Sequence, residues 1–167
     1  MANGPRYHVQ FRRRREGRTD YRTRLALLRS GEHRVVVRKT LRNVIVQIVA
    51  SDPTGDKIVA AAEARELTGL GWTGYTRNTP SAYLTGLLAG KRAKAAGVEG
   101  AVLDLGRQVP MKGGRVFAAL QGVTDAGVEI PAGEDIVPDE ERLRGAHIGD
   151  EVASNFDAVK SKIMEGK

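Results

Sequence analysis

At 167 residues, with 41% apolar and 5% aromatic side chains, the chain has material for one largely aliphatic core plus tails. The absence of cysteine excludes a disulfide scaffold and every thiolate metal site. The net charge of +7 is unevenly placed: residues 1–50 carry 13 Lys/Arg against 3 Asp/Glu, and residues 51–167 carry 14 against 17. A basic arm on a near-neutral body points to a polyanion partner. Nucleic acid fits better than an anionic membrane, because the arm lacks the apolar face an interfacial helix needs. MANGPRYHVQF has no apolar signal region, so a cytoplasmic location is expected.

Residues 1–19 hold Arg6, the run Arg12, Arg13, Arg14 and Arg15, and Arg18, without apolar periodicity. They are expected to be extended, disordered alone and folded against a partner. Arginine forks pair with phosphate oxygens and stack on bases, so this run is read as RNA-binding rather than as a solvated face. Residues 20–31 predict a short helix, capped by Asp20 and stopped by Gly31, with Leu25, Leu27 and Leu28 apolar. Arg22, Arg24 and Arg29 extend the basic surface.

Residues 33–62 predict three antiparallel strands: Val35–Val37, Val44–Ala50 and Ile58–Ala62. KTLRN, residues 39–43, makes the first turn and SDPTGD the second. Residues 63–78 read as a glycine-rich loop. Trp72 and Tyr75 either stack on bases, beside Arg77 and Asn78, or anchor the loop to the core.

Residues 79–97 predict one long buried helix. Thr79 is the expected N-cap, Pro80 takes the first helical position and Gly97 ends the run. Tyr83, Leu84, Leu87 and Leu88 form an apolar stripe, and Ala82, Gly86, Gly90 and Ala93 a small-residue one. Two glycines in a helix suggest very close packing, either on the sheet or against an RNA backbone or partner chain. GLLAGKR lacks the glycine spacing and the Ser or Thr of a phosphate-binding loop.

Val102–Leu105 then predict a buried strand, residues 116–126 a helix ended by Gly127, and Val128–Ile130 a last edge strand. The order βββ-α-β-α-β implies an α/β fold, with helices packed on a mixed sheet. From Glu129 onward the composition turns acidic, 10 Asp/Glu against 5 Lys/Arg. Ile148, Val152, Phe156, Val159 and Ile163 recur at helical spacing, which predicts an amphipathic helix docked on the body or on a neighbouring protein.

Nothing in the pattern suggests catalysis. His8, His33 and His147 are scattered without metal-ligand spacing. Asp52 and Asp56 flank a turn, where local bonding accounts for Asp. Asp104 either bonds a helix N-terminus or belongs to a nuclease-like carboxylate site, which needs several converging carboxylates. The reading is a binding module without cofactor or metal.

FRRRREGRTDYRTRL, VVVRKTLRNVIVQIV, GYTRNTPSAYLTGLLAGKRA, AVLDLGRQVP and KGGRVFAALQGVTDAG together resemble large-subunit ribosomal protein eighteen of the archaeal and eukaryotic type. The likeness runs from about Gly4 to Ile148, and YLTGLLAGKRA is its most specific segment. It implies an α/β fold of the ribonuclease-H-like translational-machinery type without nuclease activity. It also implies binding to 5S rRNA, 23S rRNA, ribosomal protein five and other central-protuberance proteins, in the large subunit of the cytoplasmic ribosome. A membrane and a homo-oligomer are not implied. Transferred by position, the RNA-contacting residues are Arg12–Arg15, Arg18, Arg22 and Arg24 in the arm; Lys39, Thr40, Arg42 and Asn43 in the hairpin; Thr76, Arg77 and Asn78 in the loop; and Lys112 and Arg115. Trp72 and Tyr75 join them on the stacking reading. The expected division is a basic arm, 1–19, an α/β RNA-binding domain, 20–130, and an archaeal-type acidic extension, 131–167. A free-standing RNA-binding regulator and a degenerate nuclease dependent on Asp104 are the alternatives.

Overall fold

The computed structural model describes residues 4–166, so positions 1–3 of the arm and 167 of the extension lie outside the described residues. Strands β1 (His33–Lys39), β2 (Val44–Ala50) and β3 (Lys57–Glu63) form an antiparallel meander. β4 (Ala101–Asp104) adds parallel to β1, giving a mixed sheet of order β3-β2-β1-β4. Side chains alternate along a strand. Val35, Val37, Val44, Val46, Ile48, Ala60 and Ala62 therefore share one face, and all are buried. Helices α4 (Thr79–Ala95) and α5 (Arg115–Asp125) cover that face, α4 over β2 and β3 and α5 over β1.

The glycines of α4 meet neither the sheet nor an RNA: they face α5. A Cβ on Gly86 would lie 2.0 Å from the Ala119 carbonyl oxygen, and one on Gly122 would lie 2.1 Å from that of Tyr83. Each helix thus carries a glycine where the other's backbone comes closest. The small residues permit a close helix crossing, and the larger stripe, Leu84 and Leu87, is left to fill the core.

Other expectations are corrected. α4 is capped by Asn78, whose side chain accepts from the Ser81 amide, so the helix starts one residue before the predicted Thr79 cap allows. The predicted strand at 128–130 is absent. Glu129 makes only an isolated bridge to Gly100, while Val128 and Ile130 turn their side chains into the core. The arm is not wholly extended: α1 (Arg12–Arg15) is one helical turn, with Glu16 paired to Arg12 and Arg18. The glycine-rich loop opens with a short helix, α3 (Glu66–Gly69). α2 (Tyr21–Arg29) forms as predicted, with Asp20 accepting from the Arg22 and Thr23 amides, but buries none of its residues.

The acidic extension folds onto the body. A 3-10 turn (Glu134–Ile136) and α6 (Glu140–Arg144) precede α7 (Asp150–Glu165), which packs on α4. Leu143, Phe156, Val159 and Ile163 enter the same core as the sheet. Of the two docking partners considered for α7, the body is the one it uses; the Phe156 ring lies 5.4 Å from that of Tyr83. The Tyr83 hydroxyl donates to Asp125, and burial together with that carboxylate pushes its pKa up.

Candidate nucleic-acid interface

The β1–β2 turn closes locally. The Thr40 amide donates to the Asn43 carbonyl at 2.8 Å, and the Asn43 amide to Thr40 Oγ1 at 2.9 Å. Leu41 and Arg42 are left at the tip. The loop before α4 is tied to that tip from the other side: Thr76 donates its hydroxyl to the Arg42 carbonyl, and Arg77 donates to that of Leu41 at 3.1 Å. Arg115, the first residue of α5, donates to the Arg77 carbonyl at 2.9 Å. These three segments, with Arg142 and His147 of the acidic extension as a fourth, enclose one open groove of about 940 Å³. Its walls carry Lys39, Arg42, Arg77, Lys112, Arg115 and Arg142, and no carboxylate.

Most of the predicted hairpin and loop residues meet at this groove, but several are turned to structural work. Trp72 is 2% exposed and its indole N–H donates to the Tyr75 carbonyl, so of the two readings it takes the anchoring one. Tyr75, 83% exposed, keeps its ring open. Asn43 is buried, with its side-chain nitrogen donating to Glu63 at 3.0 Å. Asn78 is spent on the α4 cap and Thr40 on its own turn.

The arm's arginines do not reach the groove. Arg13, Arg18 and Arg24 instead border a cleft of about 410 Å³ over the sheet face that α4 and α5 leave uncovered. Arg12, Arg14, Arg15 and Arg22 stand exposed.

Arg34, counted in the sequence only as part of the basic half, is 2% exposed beneath that cleft. Its guanidinium lies 2.7 Å from Asp56 and 2.8 Å from Asp104, and Arg24 meets Asp56 at 2.9 Å. Burial pushes the Asp56 carboxyl up, but Arg34 and Arg24 outweigh it and hold the group below the usual carboxylate range. Asp104 does not bond a helix N-terminus as expected. It accepts from Arg34 and from the Gly106 amide. Sequence reading also missed Leu41, Val109, Met111, Arg142 and His147, all on the groove. The signal was present in Leu41, a large apolar residue at the tip of a polar turn.

Residues 5–99 match the family described as ribosomal large subunit proteins 60S L5 and 50S L18. A large ribosomal subunit protein uL18 of Methanocorpusculum labreanum is 50% identical over 171 residues, covering 99% of this chain and 98% of its own. A uL18 of Methanococcoides burtonii is 51% identical over 169 residues, covering 98% of each. The class is thereby a ribosomal protein of the large subunit, an RNA-binding component of the cytoplasmic translation machinery. Within that class, the chain belongs to the family of ribosomal large subunit proteins 60S L5 and 50S L18.

Proposed function

We propose that this chain binds 5S rRNA and anchors it to 23S rRNA in the central protuberance, beside ribosomal protein five. The single observation that carries the reading is the groove. Six Lys and Arg side chains from four segments converge there without an intervening carboxylate, as phosphate binding requires. The arm supplies the second contact, through exposed arginines whose fork geometry suits phosphate. The role is structural rather than catalytic. Asp56 and Asp104 are both engaged by cations, Arg34 pairing with each of them and Arg24 with Asp56.

Native mass spectrometry of the purified protein with 5S rRNA tests the RNA partner. A one-to-one complex that persists at physiological salt is expected, and free protein at every salt concentration rejects it. Co-sedimentation with large subunits separates a resident ribosomal protein from a free-standing regulator.

A further inference from the structure

The groove is not lined by cations alone. Leu41 is 82% exposed, Tyr75 83%, Val109 75% and Met111 66%, and all four face it. These are among the most exposed large apolar side chains of the described residues, and they come from three separate segments. A surface made only to grip the phosphates of a duplex has no use for them. Each costs solvation while the groove is empty, so an apolar contact in the bound state is the physical reason to hold them there.

We propose that this groove receives an unpaired nucleotide of a structured RNA. Its base lies on the Tyr75 ring among the Leu41 and Met111 side chains, and its flanking phosphates are gripped by Arg42 and Lys112. The proposal rests on the RNA-binding reading and narrows it from RNA in general to a base out of the helical stack. Three observations carry it. A base paired in an A-form helix hides both faces, whereas an unpaired one offers a flat apolar face that aromatic side chains take up. Every Lys, Arg, Asp or Glu that lines the groove is a Lys or Arg, which suits the phosphates on either side of such a base and disfavours a basic peptide. The walls are also fixed before binding. Thr76, Arg77 and Arg115 lock the turn, the loop and α5 together, and Trp72 is buried beneath the Tyr75 backbone. A rigid receptor loses little entropy on closing over one base.

The test uses the full chain and three probes: 5S rRNA, a single-stranded oligouridylate, and a fully paired RNA duplex of the same length as the oligouridylate. The Tyr75 ring stands outside the core and is safe to replace. Tyr75→Ala is expected to weaken the oligouridylate and 5S rRNA by roughly tenfold while leaving the duplex unchanged, and Tyr75→Phe is expected to retain the affinity. Leu41→Ser should act in the same direction as Tyr75→Ala. Wild-type protein that binds 5S rRNA while Tyr75→Ala costs nothing on any probe overturns the proposal and leaves the 5S reading standing. That is also the result expected if a protein segment fills the groove. An equal loss on duplex and single strand overturns it too, because the ring would then be supporting the fold. Wild-type protein that binds oligouridylate through Tyr75 but ignores 5S rRNA keeps the groove and removes the 5S assignment.

Discussion

Single residues decide how tightly this molecule is held. Alanine is favoured over glycine in a helix by about 1 kcal/mol. At Gly86 that gain is overwhelmed, because the methyl would sit against the Ala119 carbonyl. Gly86→Ala should therefore lower stability by about 2 kcal/mol, as overpacked cores do, with an unchanged urea m-value. A stabilised variant would mean that the helices can separate cheaply. Arg34 makes the opposite case, a large side chain whose removal leaves charges behind. Arg34→Met should cost about 3 kcal/mol at neutral pH, because Asp104 and Asp56 lose a buried cation. The sign of the pH effect follows from Asp56, whose carboxyl is depressed in the folded chain. Its contribution is complete above the ordinary carboxylate range and is lost as pH falls through the lower, folded value. The gap between wild type and Arg34→Met should thus narrow below about pH 4. A gap that stays constant from pH 7 to pH 3 rules out the charge pairing as its cause.

At the level of elements, the arm and the last helix differ in what anchors them. Residues 4–18 are all exposed and α2 buries nothing, so the arm adds little to the core. Deleting residues 1–19 should leave thermal unfolding nearly unchanged. The slope of log K against log salt for RNA binding should flatten by several units, about 0.7 to 0.9 for each phosphate the arm no longer neutralises. An unaltered slope would show that the arginines are merely solvated. α7 is anchored both by its apolar face and by polar ties. Phe156, Val159 and Ile163 bury that face, and Asn155 braces the loop that carries Tyr75. The Asn155 side-chain oxygen accepts from the Thr73 amide at 3.1 Å, and its nitrogen donates to the Gly71 carbonyl at 2.9 Å. Asn155→Ala should speed hydrogen exchange at Thr73 while sparing the α7 amides. Equal exchange at Thr73 in both proteins would mean that the loop holds itself.

Across the whole molecule, the proposed binding falls on two basic surfaces of different stiffness. The arm is exposed and mostly irregular, whereas the groove is built on cross-linked turns. Rigid groups discriminate shape better than flexible ones, because less ordering entropy opposes a correct fit. Arg77 and Arg115 also hold the groove walls, so Arg42 and Lys112 are the cleaner probes. Arg42→Ala together with Lys112→Ala should weaken 5S rRNA about tenfold or more, and an unrelated structured RNA much less. Arm deletion should weaken both RNAs alike. Competition binding at fixed salt measures the ratio, and equal losses in the double variant would move recognition away from the groove.

Local pattern was enough to read much of this fold. The β-branched run Val44–Ala50 is a strand with the predicted bounds, and Asp20 caps the helix it was expected to cap. The 3.6-residue period marked the buried faces of α5 and α7, because periodicity is a property of neighbours along the chain. Ile148, however, precedes α7 and stays exposed, and α4 is buried on nearly every side rather than on one stripe. The basic arm and the cationic turn were equally visible, since charge is carried by composition. What remained hidden depends on residues distant in sequence. Arg34 finds Asp104 across 70 positions, and nothing local separates it from the arginines that face solvent. The glycines of α4 announced a close approach but could not name α5 as the partner. Trp72 and Tyr75, three residues apart, were indistinguishable as stacking candidates until packing buried one and left the other open. Residues 128–130 have strand-like side chains, yet a strand exists only where another offers a free edge, and there Glu129 gains a single bridge. The kinds of element were set by short-range chemistry. Which basic and apolar groups remained exposed was set by the chain closing on itself.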